Sequence, residues 1–517
     1  LALRRLAAAE DRRTQDHAMT APRFADLYRW DLRQVGRSPL LWTVLLILAA
    51  SFIWGALNTA ALHRAQTAAH LRVVAREAAH DVDLQRRIAA YRVAVTPDAP
   101  AIPYWQDPTS VSGFSQYLLF RHAIKPHLPL SPLAAGVSDV APSWRAVKLN
   151  TIAGADDTYD FENPRGLALG RFDLGFALVY LLPVGLILIF GLLVTFERDH
   201  GMLRLAAAQA TSPRIWVGAR IAAILSWTLP TVLVALAIAL ALAGVSFPAA
   251  WPELVAALLL VACYVLFWTG IATLGLSRLP SAAAGVTSLA ALWVLLTLGL
   301  PIAGAVIAST VDPAPSSSAR VDLQRRTTDA VEADRQAILA RAFAARADLQ
   351  GAADQIGKLD YATRLTFLTP EIERRMSPLE AAIRAHDERQ ARLAELAGYA
   401  IPPLGFGSAL ATLAGTDAAR QRDFERQARV YQQRLRDHLY PLVQREIADP
   451  TPRPEPALRG RFNFLGQGDV PAFTFTTAPA ATRIGAVLPV ASWLALIGAA
   501  LASFGLIRAN QWPTETA

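Results

Sequence analysis

The stretch "FDLGFALVYLLPVGLILIFGLLVTFERDHGMLRLAAAQATSPRIWVGARI", Phe172 to Ile221, decides the fold. No charge falls between Asp173 and Glu197. That run is long enough to cross a bilayer core of ~30 Å, for which roughly 20 helical residues suffice. Glu197, Arg198, Asp199, Arg204 and Arg214 then crowd into a short segment before the chain turns apolar again near Ile221. Apolar, charged, apolar is the pattern of two membrane spans joined by a charged loop.

Runs of the same kind place six spans at 39–62, 173–196, 219–244, 253–276, 282–309 and 484–508. The 517 residues are 53% hydrophobic and only 18% charged, with a mean hydropathy of +0.29. That is too apolar for an ordinary soluble protein. The expected fold is a mainly α membrane protein, six transmembrane helices with a mostly helical, minor β, extracytoplasmic domain built from two inserts. The net charge of +8 does not point to nucleic acid, because no basic run is interleaved with aromatics. Cys263, the single cysteine, lies in an apolar run, so no intrachain disulfide can form.

Arginines in short loops set the orientation. Arg198, Arg204, Arg214 and Arg278 follow spans two and four, Arg508 follows span six, and Arg29, Arg33 and Arg37 precede span one. The loop "VSFPAAWPE" after span three has no basic residue. Both termini are therefore expected in the cytoplasm, with Arg171 and Arg483 as local exceptions beside long translocated segments. Residues 1–38 read as a cytoplasmic arm and an interfacial helix, and 1–18, ahead of Met19, as part of that arm or an over-extended start. The order then runs span one (39–62), first insert (63–171), spans two to five with the loop 197–214 (172–309), second insert (310–483), span six (484–508) and a cytoplasmic tail (509–517).

The inserts read as helical. "RAQTAAHLRVVAREAAHDVDLQRRIAAY" continues span one as a helix, and a helix over about 417–448 carries Phe424, Ala428, Tyr431, Leu435, His438 and Leu442 as an apolar stripe. A second helix, about 320–350, carries Val331, Ile338, Phe343 and Leu349, and "RFNFLG" and "AFTFTT" read as short strands. The two inserts are expected to make one composite domain, with the 417–448 helix packed on the helix that leaves span one.

Several chemistries lack their residues. No ionisable residue is expected in a span interior, which argues against a proton- or ion-coupled carrier. "GAADQIGKLD" has Leu359 after Lys358 where a phosphate loop needs Ser or Thr. His80, Asp81 and Asp83, like His386, Asp387 and Glu388, are too close along a helix to converge on a metal. No catalytic, cofactor-binding or metal-binding residue is therefore assigned, and the chain is expected not to be an enzyme.

The segment Glu197, Arg198, Asp199, His200, Gly201, Met202, Leu203, with Ser212, Pro213 and Arg214 beyond it, resembles the second span and first cytoplasmic loop of ABC exporter permeases of the second type. Met202 for threonine and Asp199 for glutamate are departures from that pattern. "NPRGLALGRFDLGFALVYLLP" (163–183), "GVSDVAP" (136–142) and "LATLAGTDAARQRDF" (410–424) resemble a bacterial permease family with two large extracytoplasmic inserts and no assigned function, sometimes labelled multi-copper enzyme maturation permeases. The resemblance implies an ATPase-coupling role for Glu197, Arg198, Asp199, His200, Gly201, Leu203 and Arg204. It also implies two copies of an ABC ATPase subunit carrying ATP and Mg, a second permease of the same or a paralogous kind, and a bacterial inner-membrane location. Phe24, Leu27, Tyr28, Leu32 and Val35 form the apolar side of a helix lying on lipid, like the elbow helix of these permeases, although Asp31 intrudes on it. The function expected is outward movement of a substrate. The alternative is mechanotransmission, in which the spans move the outer domain to act on a periplasmic partner. Pro183, Pro230, Pro301 and Pro489 fall within spans, where they are expected to kink helices.

Overall fold

The computed structural model describes residues 24–93, 102–150, 171–199, 212–278, 282–448, 464 and 466–509. Helix α1 (Phe24–Val35) is followed after a tight turn by α2 (Pro39–Val93), a single helix of 55 residues. At 1.5 Å per residue α2 is about 80 Å long, so its apolar first half alone crosses a membrane and its polar second half stands clear of it. The remaining apolar helices are α3 (Leu182–Asp199), α4 (Pro213–Leu242), α5 (Phe247–Arg278) and the pair α6 (Ala282–Val294) and α7 (Leu300–Val311). Beyond α7 the chain forms α8 (Ser317–Ala333), α9 (Arg335–Ala345), α10 (Tyr361–Ala400), α11 (Pro402–Ala414), α12 (Ala418–Ala448) and the last apolar helix, α13 (Ala480–Ala509). Six helices in all are long and apolar enough to cross a membrane.

Two of the span prolines act through a widened turn. A π-helical turn over Ala177–Leu181 leads into α3 just before Pro183, and another over Leu295–Gly299 joins α6 to α7 just before Pro301. Proline has no N–H to donate and its ring collides with the carbonyl four residues back, so a shift to five-residue bonding relieves both problems. Pro230 and Pro489 lie inside α4 and α13.

The spans share one apolar core, in which α5 is the most enclosed helix and the α6–α7 span the least. Helices α5 and α13 approach backbone to backbone because glycines meet there. A Cβ on Gly270 would lie 2.2 Å from the carbonyl oxygen of Gly498, and one on Gly498 would lie 2.7 Å from that of Leu266. Small residues permit such contact between helices that gain nothing from expelling water.

Outside the spans, α2, α12 and a two-stranded antiparallel ribbon, β1 (Arg121–Ile124) with β2 (Trp144–Val147), enclose a second core. Leu84, Phe114, Ala123, Val147, Phe424, Tyr431, Leu435 and Val443 belong to it, so both inserts contribute. Several expectations need correction here. The strands are β1 and β2, whereas 472–477 is extended without pairing and 461–463 and 465 lie outside the described residues. Gln427 takes the place of a strand partner: its side-chain amide donates to the Thr476 carbonyl at 2.8 Å and accepts from the Thr476 N–H at 2.9 Å. The expected 320–350 helix is broken at Asp334 and stops at Ala345, where Arg346 becomes extended and binds Asp348 and Gln444.

Along α12 the buried row starts as expected at Phe424, Ala428, Tyr431 and Leu435, then passes to Leu439 and Val443 rather than His438 and Leu442. A strict four-three spacing slips about 20° per heptad on a straight helix, enough to hand the core to the next residue. Helices α12 and α2 share that core through Leu84, Phe424, Tyr431 and Leu435. The ribbon links them: Arg121 and His122 of β1 bond Asp81 and Glu77 of α2, while Gln432, Arg436 and Tyr440 of α12 bond the carbonyls of Lys148 and Leu149 just past β2.

Gly270→Leu is expected to destabilise the chain by about 1–3 kcal/mol through overpacking. Gly304→Leu, where a Cβ meets nothing within 4 Å, is expected to be near neutral. Unfolding of both purified variants in mixed micelles measures the difference.

Candidate functional site

The first site is built around Arg220, which lies two turns into α4 and is 3% exposed. Its Nη1 donates to Asp31 Oδ1 of α1 at 2.5 Å and to Gln34 Oε1 at 3.4 Å. Its Nε and Nη2 donate to the Leu193 carbonyl of α3 at 3.4 and 3.3 Å. One guanidinium thus fastens the elbow helix, the third span and the end of the second. Arg220, expected at the very start of the third span, lies seven residues inside α4 because that helix begins at Pro213. It also explains Asp31, whose carboxylate faces the bundle because its counter-ion is there.

The elbow side chains pack as an amphipathic helix would. Leu27 sits against Trp216, Val217 and Ala509, and Tyr28 and Leu32 lie against the span core. Tyr28 Oη meets Ser226 Oγ at 2.9 Å, and Trp227 Nε1 donates to the Leu32 carbonyl at 2.9 Å. Val35 is buried, whereas Phe24 is half exposed and stacks on Tyr28. Of the segment that resembles a coupling loop, Glu197, Arg198 and Asp199 continue α3 by their backbone, one turn beyond Leu193. Their side chains, and His200, Gly201, Leu203 and Arg204 entirely, lie outside the described residues.

The second site is the junction between spans and inserts, where the three quoted motifs converge. Asp173 caps the second span, accepting from the Phe176 N–H at 2.6 Å and from the Ala135 N–H at 2.8 Å. Thr416 donates its hydroxyl to the Ala134 carbonyl at 3.0 Å, and its own carbonyl accepts from the Val137 N–H at 2.9 Å. Gly415, in the left-handed region at φ 69°, ends α11 there. Helix α11 escaped the sequence reading because its apolar run is too short to span, yet Phe406 stacks on Tyr264 of α5 at 3.7 Å between ring centroids.

Imidazoles line the same junction. His63 and His70 are seven residues apart on one face of α2, and the His127 ring lies against both, at 4.5 and 5.6 Å between centroids. His70 Nε2 meets Ser143 Oγ at 2.8 Å, and Lys125 beside them donates to Gln421. The His70 and His127 rings stack, the His63 ring is tilted against His127, and no group of metal-ligating side chains is found among the described residues. Burial, then the neighbouring His63, His70, Lys125 and Arg420, lowers the His127 pKa to about 3. Burial, helped by Arg420, lowers that of Lys125 to about 8. His80 and His386, weighed as metal ligands, have other partners: the Leu118 carbonyl at 2.7 Å and Asp312 at 3.1 Å.

These features define a multi-pass, mostly helical membrane protein with a helical region outside the spans. A family described as a domain of unknown function (DUF3526) matches residues 318–448, from α8 to the end of α12. No curated protein and no solved structure matches the chain.

Removing one partner of a buried ion pair costs about 3–5 kcal/mol, whereas replacing both with apolar groups is often tolerated. Asp31→Leu and Arg220→Met are each expected to destabilise by that amount, and the double variant by much less. A double-mutant cycle of unfolding free energies checks it. The junction carries a pH dependence of fixed sign. His127 is neutral in the fold, so its contribution is complete above its ordinary pKa of 6.5 and is lost progressively as pH falls toward about 3. Stability is expected to drop by about 1.4 kcal/mol per pH unit from this group within that window. Melting curves recorded down to pH ~4.5 should therefore be flatter for His127→Gln.

Proposed function

We propose that this chain is the membrane permease subunit of an ATP-driven ABC exporter, set in a bacterial inner membrane with both termini in the cytoplasm. Two copies of an ABC ATPase subunit, carrying ATP and Mg, dock at the Glu197–Arg204 segment, and a second permease of the same or a paralogous kind completes the path. The observation that carries the reading is the Arg220 clamp. The segment that resembles an ATPase-coupling loop begins one turn past the Leu193 carbonyl that Arg220 holds, and the same guanidinium holds the elbow helix. A push on that segment then reaches α1, α3 and α4 together, which is what a coupling site has to achieve. The sparsely covered α6–α7 span leaves a long apolar face for lipid or the second permease.

One observation favours a second reading, mechanotransmission. Helix α2 runs unbroken from the spans into the outer core, so motion of the first span is carried to the inserts and to any periplasmic partner. Both readings need the same docking step.

The double charge reversal Glu197→Arg/Arg204→Glu should leave membrane insertion intact and lower co-purification with the proposed ABC ATPase subunit, and its stimulation, at least fivefold. A double variant that still binds and stimulates the ATPase fully would remove the docking role.

A further inference from the structure

A cleft of about 530 Å³ opens between α10, α12 and β2, lined among others by Trp144, Arg145, Arg384, Gln421, Phe424 and Arg429. Arg384 and Arg429 also line a neighbouring cavity of about 210 Å³ against Glu373 and Arg436, so these two guanidinium groups stand at the wall between the spaces. Five carboxylates, Glu380, Asp387, Glu388, Asp423 and Glu425, line it beside the arginines, and some of these charges are paired within the protein. Arg320 binds Glu380 at 3.0 Å, Asp423 binds Arg426, and Glu425 accepts from Gln421 at 3.1 Å. Arg384 and Arg429 have neither a hydrogen-bond nor an ion-pair partner among the described residues. Burial lowers the pKa of Arg429, and the charges of Arg384 and Arg145 lower it further, against the opposite pull of Glu425 and Glu380.

Like-charged groups brought together with no carboxylate at ion-pair distance, and only the partial offset of Glu425 and Glu380, cost free energy that an arriving anion recovers. Guanidinium is also the side chain best shaped to grip a carboxylate or phosphate with paired hydrogen bonds. We propose that this cleft is an oxyanion-binding site, in which a carboxylate or phosphate group is held between Arg384 and Arg429 while the apolar part of the ligand rests on Trp144. Nothing in this assignment depends on the ATPase reading. The site is wired to the junction, since Gln421 on the cleft floor accepts from Lys125 beside His63, His70 and His127.

The test uses the full chain in detergent at constant ionic strength, titrated calorimetrically with inorganic phosphate and separately with citrate, with chloride as the control anion. Binding of phosphate alone assigns a phosphoryl ligand, and binding of citrate alone or of both assigns a carboxylate-tolerant site. Either result supports the proposal if R384Q/R429Q weakens binding at least tenfold and R384K/R429K weakens it less. The melting temperature of R384Q/R429Q without anion should equal or exceed that of the parent, because mutual repulsion is removed. The proposal is overturned if neither anion binds, if R384Q/R429Q binds as well as the parent, or if that variant melts well below it, which would make the arginines structural.

Discussion

A guanidinium among apolar helices has to be neutralised where it stands, and the arrangement of the bundle follows from how this is done. Arg220 requires Asp31, so α1 must lie against α4 with its carboxylate inward, and the leftover N–H groups fix the end of α3 through the Leu193 carbonyl. The opposite end has its own pair. Arg483 Nη2 at the start of α13 donates to Glu253 Oε1 at the start of α5, at 2.6 Å, with both side chains almost wholly buried. Helices α4 and α5 are antiparallel neighbours, so their beginnings lie at opposite ends of the bundle. Two buried ion pairs thus clamp it top and bottom, and the glycine contacts of α5 with α13 fill the distance along that seam. Such pairs add little net stability, because desolvation offsets most of the attraction. What they fix is register, since an apolar helix can slide past its neighbours far more cheaply than it can leave a charge unpaired.

The same pairs explain an irregularity in the topology. The expected orientation makes Arg483 an exception among the loop arginines, and in the structure its charge is paired with Glu253. Orientation rules count arginines by position, while the energetics depend on whether each charge is free. The sequence cannot show that difference.

The spans were legible because twenty apolar residues have few other uses, and helix α1 because its apolar residues recur at helical spacing. What escaped notice were features that depend on partners distant in the chain. Asp31 looked like a flaw in an amphipathic face, and Arg220 a residue at a span boundary; only together do they make sense. "AFTFTT" has the alternation of a strand, and Phe473 and Phe475 do pack on Phe424, but a glutamine side chain supplies its backbone partner. The ribbon that does form, at β1 and β2, has short and mixed sequences whose pairing is set by α2 and α12 on either side. For residues 197–204 the sequence offers a resemblance only, and the geometry that would test it lies outside the described residues.

Helix α2 sets the mechanical terms. Beyond His63 it extends by 30 residues to Val93, about 45 Å, so a tilt of about 10° at the membrane would carry its far end about 8 Å. That displacement cannot be absorbed within the outer core. Leu84 shares it with Phe424 and Leu435, and the ribbon is bonded to α2 on one edge and to α12 near the other. Close-packed interiors shift as blocks rather than deform smoothly. Such a motion would have to pass through the junction, where His63, His70 and His127 lie together and Leu130, Leu133 and Ala134 carry the first insert into the span core beside Leu410 and Leu413 of α11. That junction lies between the charges that hold the bundle and the apolar core that holds the inserts, and its apolar contacts tie the two halves of the molecule to each other.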